Sequence, residues 1–280
     1  MASSDDLKVY LDHLIPRENL RYKRSKEISA ASKESPELRM IDLQKGHLSS
    51  RTKSLRKPDF QRATSAWTPD DCVSLLDSVI NEQVIPSLIM WSSPENGYDY
   101  VLDGGHRISV VLAWLNDDWG DALPPERFQD EEQEQKIKEA AKVVRELVKV
   151  KIGSISDYQE ADEEFNRIVT EGKVVPKKAL SALKFNRALF YQRLTKGAIA
   201  FHILWVPGDY EKAEQSFVKI NKSGRDLSDW EITLIDSRHS SLARTVISIA
   251  NINSVDHYWH DKEIDEWKAL AKVMHHLQRS

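Results

Sequence analysis

Five consecutive residues, Asp103-Gly104-Gly105-His106-Arg107, bring together an acid, two glycines, an imidazole and a guanidinium. Two glycines let a backbone turn tightly and come close to a ligand. A helix starting there would offer unpaired N–H groups and the positive end of its dipole to an anion. His106 would add a side-chain donor, and Arg107 can grip phosphate oxygens through two parallel hydrogen bonds. Asp103, an acid beside such an anion, makes sense if it orients Arg107 or holds a Mg2+ ion on the phosphates. The chemistry read from this run is phosphate binding, with Gly104, Gly105, His106 and Arg107 as the cradle. Asp103, His106 and Arg107 are the candidate catalytic residues for nucleoside-triphosphate hydrolysis.

Two further groups could complete such a site. Phe60, Gln61 and Arg62 combine an aromatic face, a polar edge and a cation, a set able to stack on a base and hold its edge or a phosphate. Asn221, Ser223 and Gly224, with Lys219, could form a second wall; a plain connecting loop would use the same turn residues. A metal reading of His257 and His260 has tolerable spacing but lacks a third ligand.

The elements around the turn can be read locally. Thr68 can cap a helix that opens with Pro69, and Asp70 and Asp71 suit the positive end of its dipole. Pro86–Trp91 reads as a short buried strand, Pro94–Gly97 as a turn, and Tyr98–Leu102 as the returning strand. Beyond the glycines, Ile108, Val111, Leu112 and Leu115 recur at helical spacing. Strand, glycine turn and helix therefore follow in order. Helices are expected over 126–151, near 158–170 and over 176–195, a strand over Ile199–Val206, and a helix over Asp209–Ile220 that ends in a loop from Asn221. Ser228 and Glu231 form a capping-box pattern that opens another helix.

Composition bounds the reading further. The 280 residues are 40% hydrophobic and 30% charged, which fits a folded water-soluble chain. No apolar run nears the roughly 20 residues of a membrane span, the N-terminus has no signal-peptide character, and one cysteine, Cys72, allows no internal disulfide. A cytoplasmic protein with no membrane partner is expected. The net charge of −4 is unevenly spread. Basic residues recur from Arg17 to Arg62 (Arg21, Lys23, Arg24, Lys26, Arg51, Lys53, Arg56, Lys57), whereas Asp117–Glu134 and Asp157–Glu164 are acidic. A basic arm of this kind suits DNA, or is simply a solvated surface.

Leu102-Asp103-Gly104-Gly105-His106-Arg107 resembles the Asp-Gly-x-x-Arg signature of ParB/sulfiredoxin-like domains, and within them the restriction-associated family that includes the GmrS part of GmrSD-type systems. Phe60-Gln61-Arg62 with Trp67 resembles that family's Tyr-Gln-Arg…Trp motif, and Ile85–Ile89 its Ile-Pro strand. Phe217–Gly224 with Leu227, Ser228 and Glu231 resembles its Phe-x-x-Ile-Asn-x-x-Gly…Leu-Ser…Glu motif. Phe60 stands where the family usually has Tyr, and Gly105-His106 where it has Gln-Gln or Gln-Arg. Sulfiredoxin chemistry needs a Cys in the turn, and none is present.

The resemblance implies an α+β fold: a small mixed β-sheet ParB/sulfiredoxin-like core over 56–235 carrying a helical insertion at about 120–195. Residues 1–55 would be a basic, partly helical extension ahead of it, and 236–280 a helical C-terminal region that a longer chain could continue. It also implies a nucleotide-binding, NTP-hydrolysing domain of a bacterial anti-phage or modification-dependent restriction system, with Mg2+ and a nucleoside triphosphate as ligands. DNA would contact the basic segment, and a nuclease partner or domain and an oligomeric assembly fit the same picture. Nuclease activity is not expected from this chain itself. The alternative is a non-catalytic DNA-binding or modification-sensing module that uses the same cradle.

Overall fold

The computed structural model describes residues 7–18, 20, 35–58, 67–123, 131–172 and 175–223. It is a mixed α+β fold built on a six-stranded sheet. The strands are β1 (Arg17–Glu18), β2 (Glu37–Arg39), β3 (Leu55–Pro58), β4 (Leu88–Ser92), β5 (Asp99–Asp103) and β6 (Ala200–Trp205). Their order across the sheet is β1-β3-β5-β4-β6-β2. Strands β1, β3 and β5 run parallel, β4 is antiparallel to β5, β6 runs with β4, and β2 is antiparallel to β6. The carboxyl ends of β3 and β5 therefore share an edge with the amino ends of β4 and β6.

Alternation along the strands sends side chains to two faces. Leu55, Leu88, Met90, Val101, Phe201 and Ile203 face the larger core, which is closed by α1 (Pro69–Ile80) and α2 (Gly105–Asn116). Trp91, Tyr100 and Leu102 face a smaller cluster closed by Ala213 and Phe217 of α7 (Tyr210–Ser223). Thr68 and Asp71 make a reciprocal capping box at the start of α1, with Pro69 in its first turn. Cys72, buried in that helix, has its thiol pushed well above the ordinary range by burial.

The segment expected to be a basic extension ahead of the fold is woven into it. Val9, Leu11, Ile15, Leu38, Met40, Ile41 and Leu43 are buried in the main core, and β1, β2 and the first residue of β3 come from residues 1–55. The physical reason is that these strands are two to four residues long and rich in charged residues, as in Arg17-Glu18 and Glu37-Leu38-Arg39. Long-range pairing holds them, with no local periodicity to announce it.

Four helices lie between α2 and β6: α3 (Glu131–Lys151), α4 (Ile155–Glu171), α5 (Pro176–Ala179) and α6 (Ala182–Thr195). The single helix expected over 176–195 is thus two, because Ser181 caps the second by accepting from the Lys184 N–H. The α4–α6 pair joins the core where Trp114 of α2 meets Tyr158 and Phe190 edge-on, at 5.4 and 6.2 Å between ring centres. The Trp114 indole also donates to the Gly153 carbonyl at 3.0 Å. Helix α7 runs on through Ser223, past the loop start expected at Asn221. Trp91 and Trp114 are buried, and Trp205 is half-buried. Trp230, Trp259, Trp267, His257, His260 and the Ser228–Glu231 pattern lie outside the described residues. No described helix is long and apolar enough to cross a membrane.

Candidate functional site

Strand β5 delivers Asp103 to the sheet edge, and Gly104 then turns the chain into α2. Gly104 is the N-cap of that helix with φ +92°, a left-handed conformation that glycine adopts without strain. Space demands glycine as well. A Cβ at 104 would lie 2.4 Å from Leu88 Cδ2 and 2.9 Å from Arg107 Nη2. Having no side chain, Gly104 cannot cap the helix itself. The amino end of α2 thus carries a partial positive charge at the carboxyl end of β5, the position at which parallel strands present ligands.

Arg107 folds back across the glycine. Its Nη2 donates to Asp103 Oδ2 at 2.7 Å and, at 3.4 Å, to the Ser87 carbonyl. The guanidinium is 13% exposed and the Asp103 side chain 46%, so the pair sits at the mouth of the corner with the acid outermost. Arg107 Nε is buried and has no partner among the described residues. Of the two roles open to Asp103, orienting Arg107 is the one its geometry performs.

His106, expected as a side-chain donor to phosphate, stands in the first turn of α2. Its ring stacks on the Trp67 indole, with centres 5.6 Å apart and planes 11° from parallel. Burial, with the Lys57 ammonium nearby, pushes its pKa down to about 4, so it is a neutral imidazole near pH 7. Its Nε2 is sealed from solvent and, like Arg107 Nε, has no partner among the described residues. A buried unpaired nitrogen is costly unless something else satisfies it.

Behind His106 lies a buried charge cluster that the sequence reading did not single out. Lys57, fully buried at the end of β3, donates to Asp12 Oδ1 at 2.8 Å and to the Asp12 carbonyl at 3.1 Å. Arg17 grips the same carboxylate, from Nε at 3.0 Å and Nη2 at 2.9 Å. Two cations thus share one carboxylate beside the helix terminus. The signal was present: Lys57 occupies the same strand face as buried Leu55, an unusual place for a lysine unless it is paired. Asp12 carried no comparable mark.

The basic segment also looks different in three dimensions. Arg17 and Lys57 turn inward to Asp12, Arg51 pairs with the buried Asp99, and Arg56 lies over the Tyr98 ring at 3.8 Å. Phe60, Gln61, Arg62 and Gly224 lie outside the described residues, as do Arg21, Lys23, Arg24 and Lys26. Asn221 and Ser223 fall in the last turn of α7, with their side chains outside the description. Pro58 and Trp67, which flank the segment holding Phe60–Arg62, stand next to Lys57 and against His106 respectively. Among the described residues, no group of three or more His, Cys, Asp or Glu side chains could hold a metal ion.

Comparison with known proteins gives one match. The protein family described as "GmrSD restriction endonuclease, N-terminal domain" matches residues 40–237, which include the Asp103–Arg107 corner. No curated protein and no solved structure matches the chain.

Proposed function

Since this chain belongs to the family of the GmrSD restriction endonuclease N-terminal domain, we propose that it is the nucleotide-binding, NTP-hydrolysing domain of a bacterial anti-phage or modification-dependent restriction system. On this reading the core is ParB/sulfiredoxin-like and the triphosphate sits at the amino end of α2. The observation that carries the proposal is the uncapped helix start at Gly104, with the Arg107 guanidinium held over it by Asp103. Phosphate oxygens would take the free N–H groups of the first turn and share Arg107, and the buried Lys57–Asp12–Arg17 cluster would add positive potential behind them.

One Asp103 oxygen is committed to Arg107 and the side chain is half-exposed. That suits a single carboxylate contact to a Mg2+ that arrives with the nucleotide and keeps most of its waters. The ion would supply charge neutralisation on the phosphates. Arg107 would stabilise charge that grows in the transition state, and His106, neutral and stacked, would position the turn. Cleavage of DNA would belong to a partner or to another domain.

The inward pairing of Arg17, Arg51 and Lys57 favours a nucleotide over a DNA backbone as the primary anion, because these cations are already spent on carboxylates. Phosphate release from each of the four NTPs with Mg2+, with and without modified DNA, tests the proposal. Release from at least one NTP is expected. If no NTP is hydrolysed or bound while DNA binds with a steep salt dependence, the sensing module is the better reading.

A further inference from the structure

The amino ends of β4 and β6 carry a second polar group that no motif marks. Ser87 Oγ lies 3.3 Å from His202 Nδ1; His202 is exposed and Ser87 half-buried. The Ser87 carbonyl is the acceptor that Arg107 Nη2 reaches across Gly104. Asp103, Arg107, Ser87 and His202 are therefore linked in one hydrogen-bonded line from the glycine turn across the neighbouring strands. Sheet register fixes the line: Leu88 pairs with Ile203, so the residues one step earlier, Ser87 and His202, stand side by side at the same edge as Gly104.

With Nδ1 on Ser87 Oγ, His202 has Nε2 as its second hydrogen-bonding edge. No contact for it is found among the described residues, and its exposure makes it accessible to a ligand. By strand alternation the side chains of Ser87 and His202 lie on the sheet face of Ile89 and Leu204. A single phosphate would occupy only the helix start, whereas a second and third phosphate would extend past Arg107 towards Ser87, whose carbonyl Arg107 already reaches.

We propose that Ser87 and His202 are the terminal-phosphate contacts of the site, and that they make it selective for nucleoside polyphosphates over monophosphates. This rests on the proposed phosphate seat at α2 and names the part of the ligand read by a pair that the glycine motif does not include. Glu37, the register partner of His202 on β2, places a carboxylate at the outer end of the line. A bare phosphate is disfavoured there and a cation-bound one accepted.

The test is calorimetric titration of the full chain with the NTP, the NDP and the NMP of one base in the presence of Mg2+. His202→Ala and Ser87→Ala are compared with the unaltered chain and with Arg107→Ala. His202 is exposed and Ser87 half-buried, and thermal unfolding confirms that each variant folds. The expected result is a loss of roughly tenfold in NTP affinity for His202→Ala, about 1.4 kcal/mol, with NMP affinity unchanged. His202→Gln, which keeps a hydrogen-bonding edge, should recover part of it. If His202→Ala leaves the NTP-to-NMP ratio intact while Arg107→Ala removes binding, the inference fails and the phosphate seat stands. If Arg107→Ala leaves all three affinities intact, the seat itself fails and the inference falls with it.

Discussion

Gly104 is constrained twice, by a backbone angle that side chains resist and by Leu88 and Arg107, which fill the space a Cβ would need. Gly104→Ala should therefore cost about 1–3 kcal/mol of stability and push the guanidinium off the turn. A lower denaturation midpoint together with weaker nucleotide binding is expected; an unchanged midpoint would mean the turn relaxes freely. His106 makes a different kind of statement. Its pKa of about 4 in the folded chain lies below the value of about 6.5 for an unfolded histidine. Between those values the unfolded chain binds the extra proton, so stability is full above pH 6.5 and falls as the pH drops towards 4. At about 1.4 kcal/mol per unit the loss is on the order of 3 kcal/mol. His106→Phe should keep the stack on Trp67 and flatten that part of the stability profile. A profile with the same slope in both proteins would assign the effect to other groups.

At the scale of elements, strand β5, Gly104 and α2 place the candidate site, and the α4–α6 pair is attached to them through one aromatic joint. Trp114 contributes both ring packing on Tyr158 and Phe190 and an indole hydrogen bond to Gly153. Trp114→Ala should cost about 3–5 kcal/mol, read by chemical denaturation. Uncoupled melting of the helical pair, seen as a second transition, would show that this joint is what makes unfolding cooperative. The elements near the glycine turn were legible because each carries a local signal: Thr68-Pro69 for a helix start, Gly104-Gly105 for the turn, and the spacing of Ile108, Val111, Leu112 and Leu115 for α2. The three strands before residue 58 were not. A two-residue strand such as Arg17–Glu18 gains its place from pairing with β3 forty residues on, and nothing within the segment encodes it. The Asp103–Arg107 pairing fits the i,i+4 spacing of the two residues. The stack of His106 on Trp67, the Lys57–Asp12 pair and the Ser87–His202 contact join residues distant in sequence, and they needed the fold to appear.

For the whole molecule, the decisive question is where its positive charge points. The sequence suggests a basic arm, but in the fold Arg51 is committed to Asp99, whose side chain is nearly buried. Removing one member of such a pair leaves a buried charge and costs about 3–5 kcal/mol. Arg51→Ala should therefore lower the unfolding midpoint and leave the salt slope of any DNA binding unchanged. A shallower slope by about one unit would instead identify Arg51 as a phosphate contact. Among the described residues, positive potential is found at the amino end of α2, where Arg107 Nε and His106 Nε2 have no partner, Gly104 offers no capping side chain, and two cations share Asp12. The most direct measurement is calorimetric titration of a Mg2+–nucleoside triphosphate into the unaltered chain and into Arg107→Ala, with both confirmed folded. Saturable binding that falls at least tenfold in the variant, about 1.4 kcal/mol or more, is the predicted result. Equal affinity in the two proteins would contradict a phosphate seat at this corner.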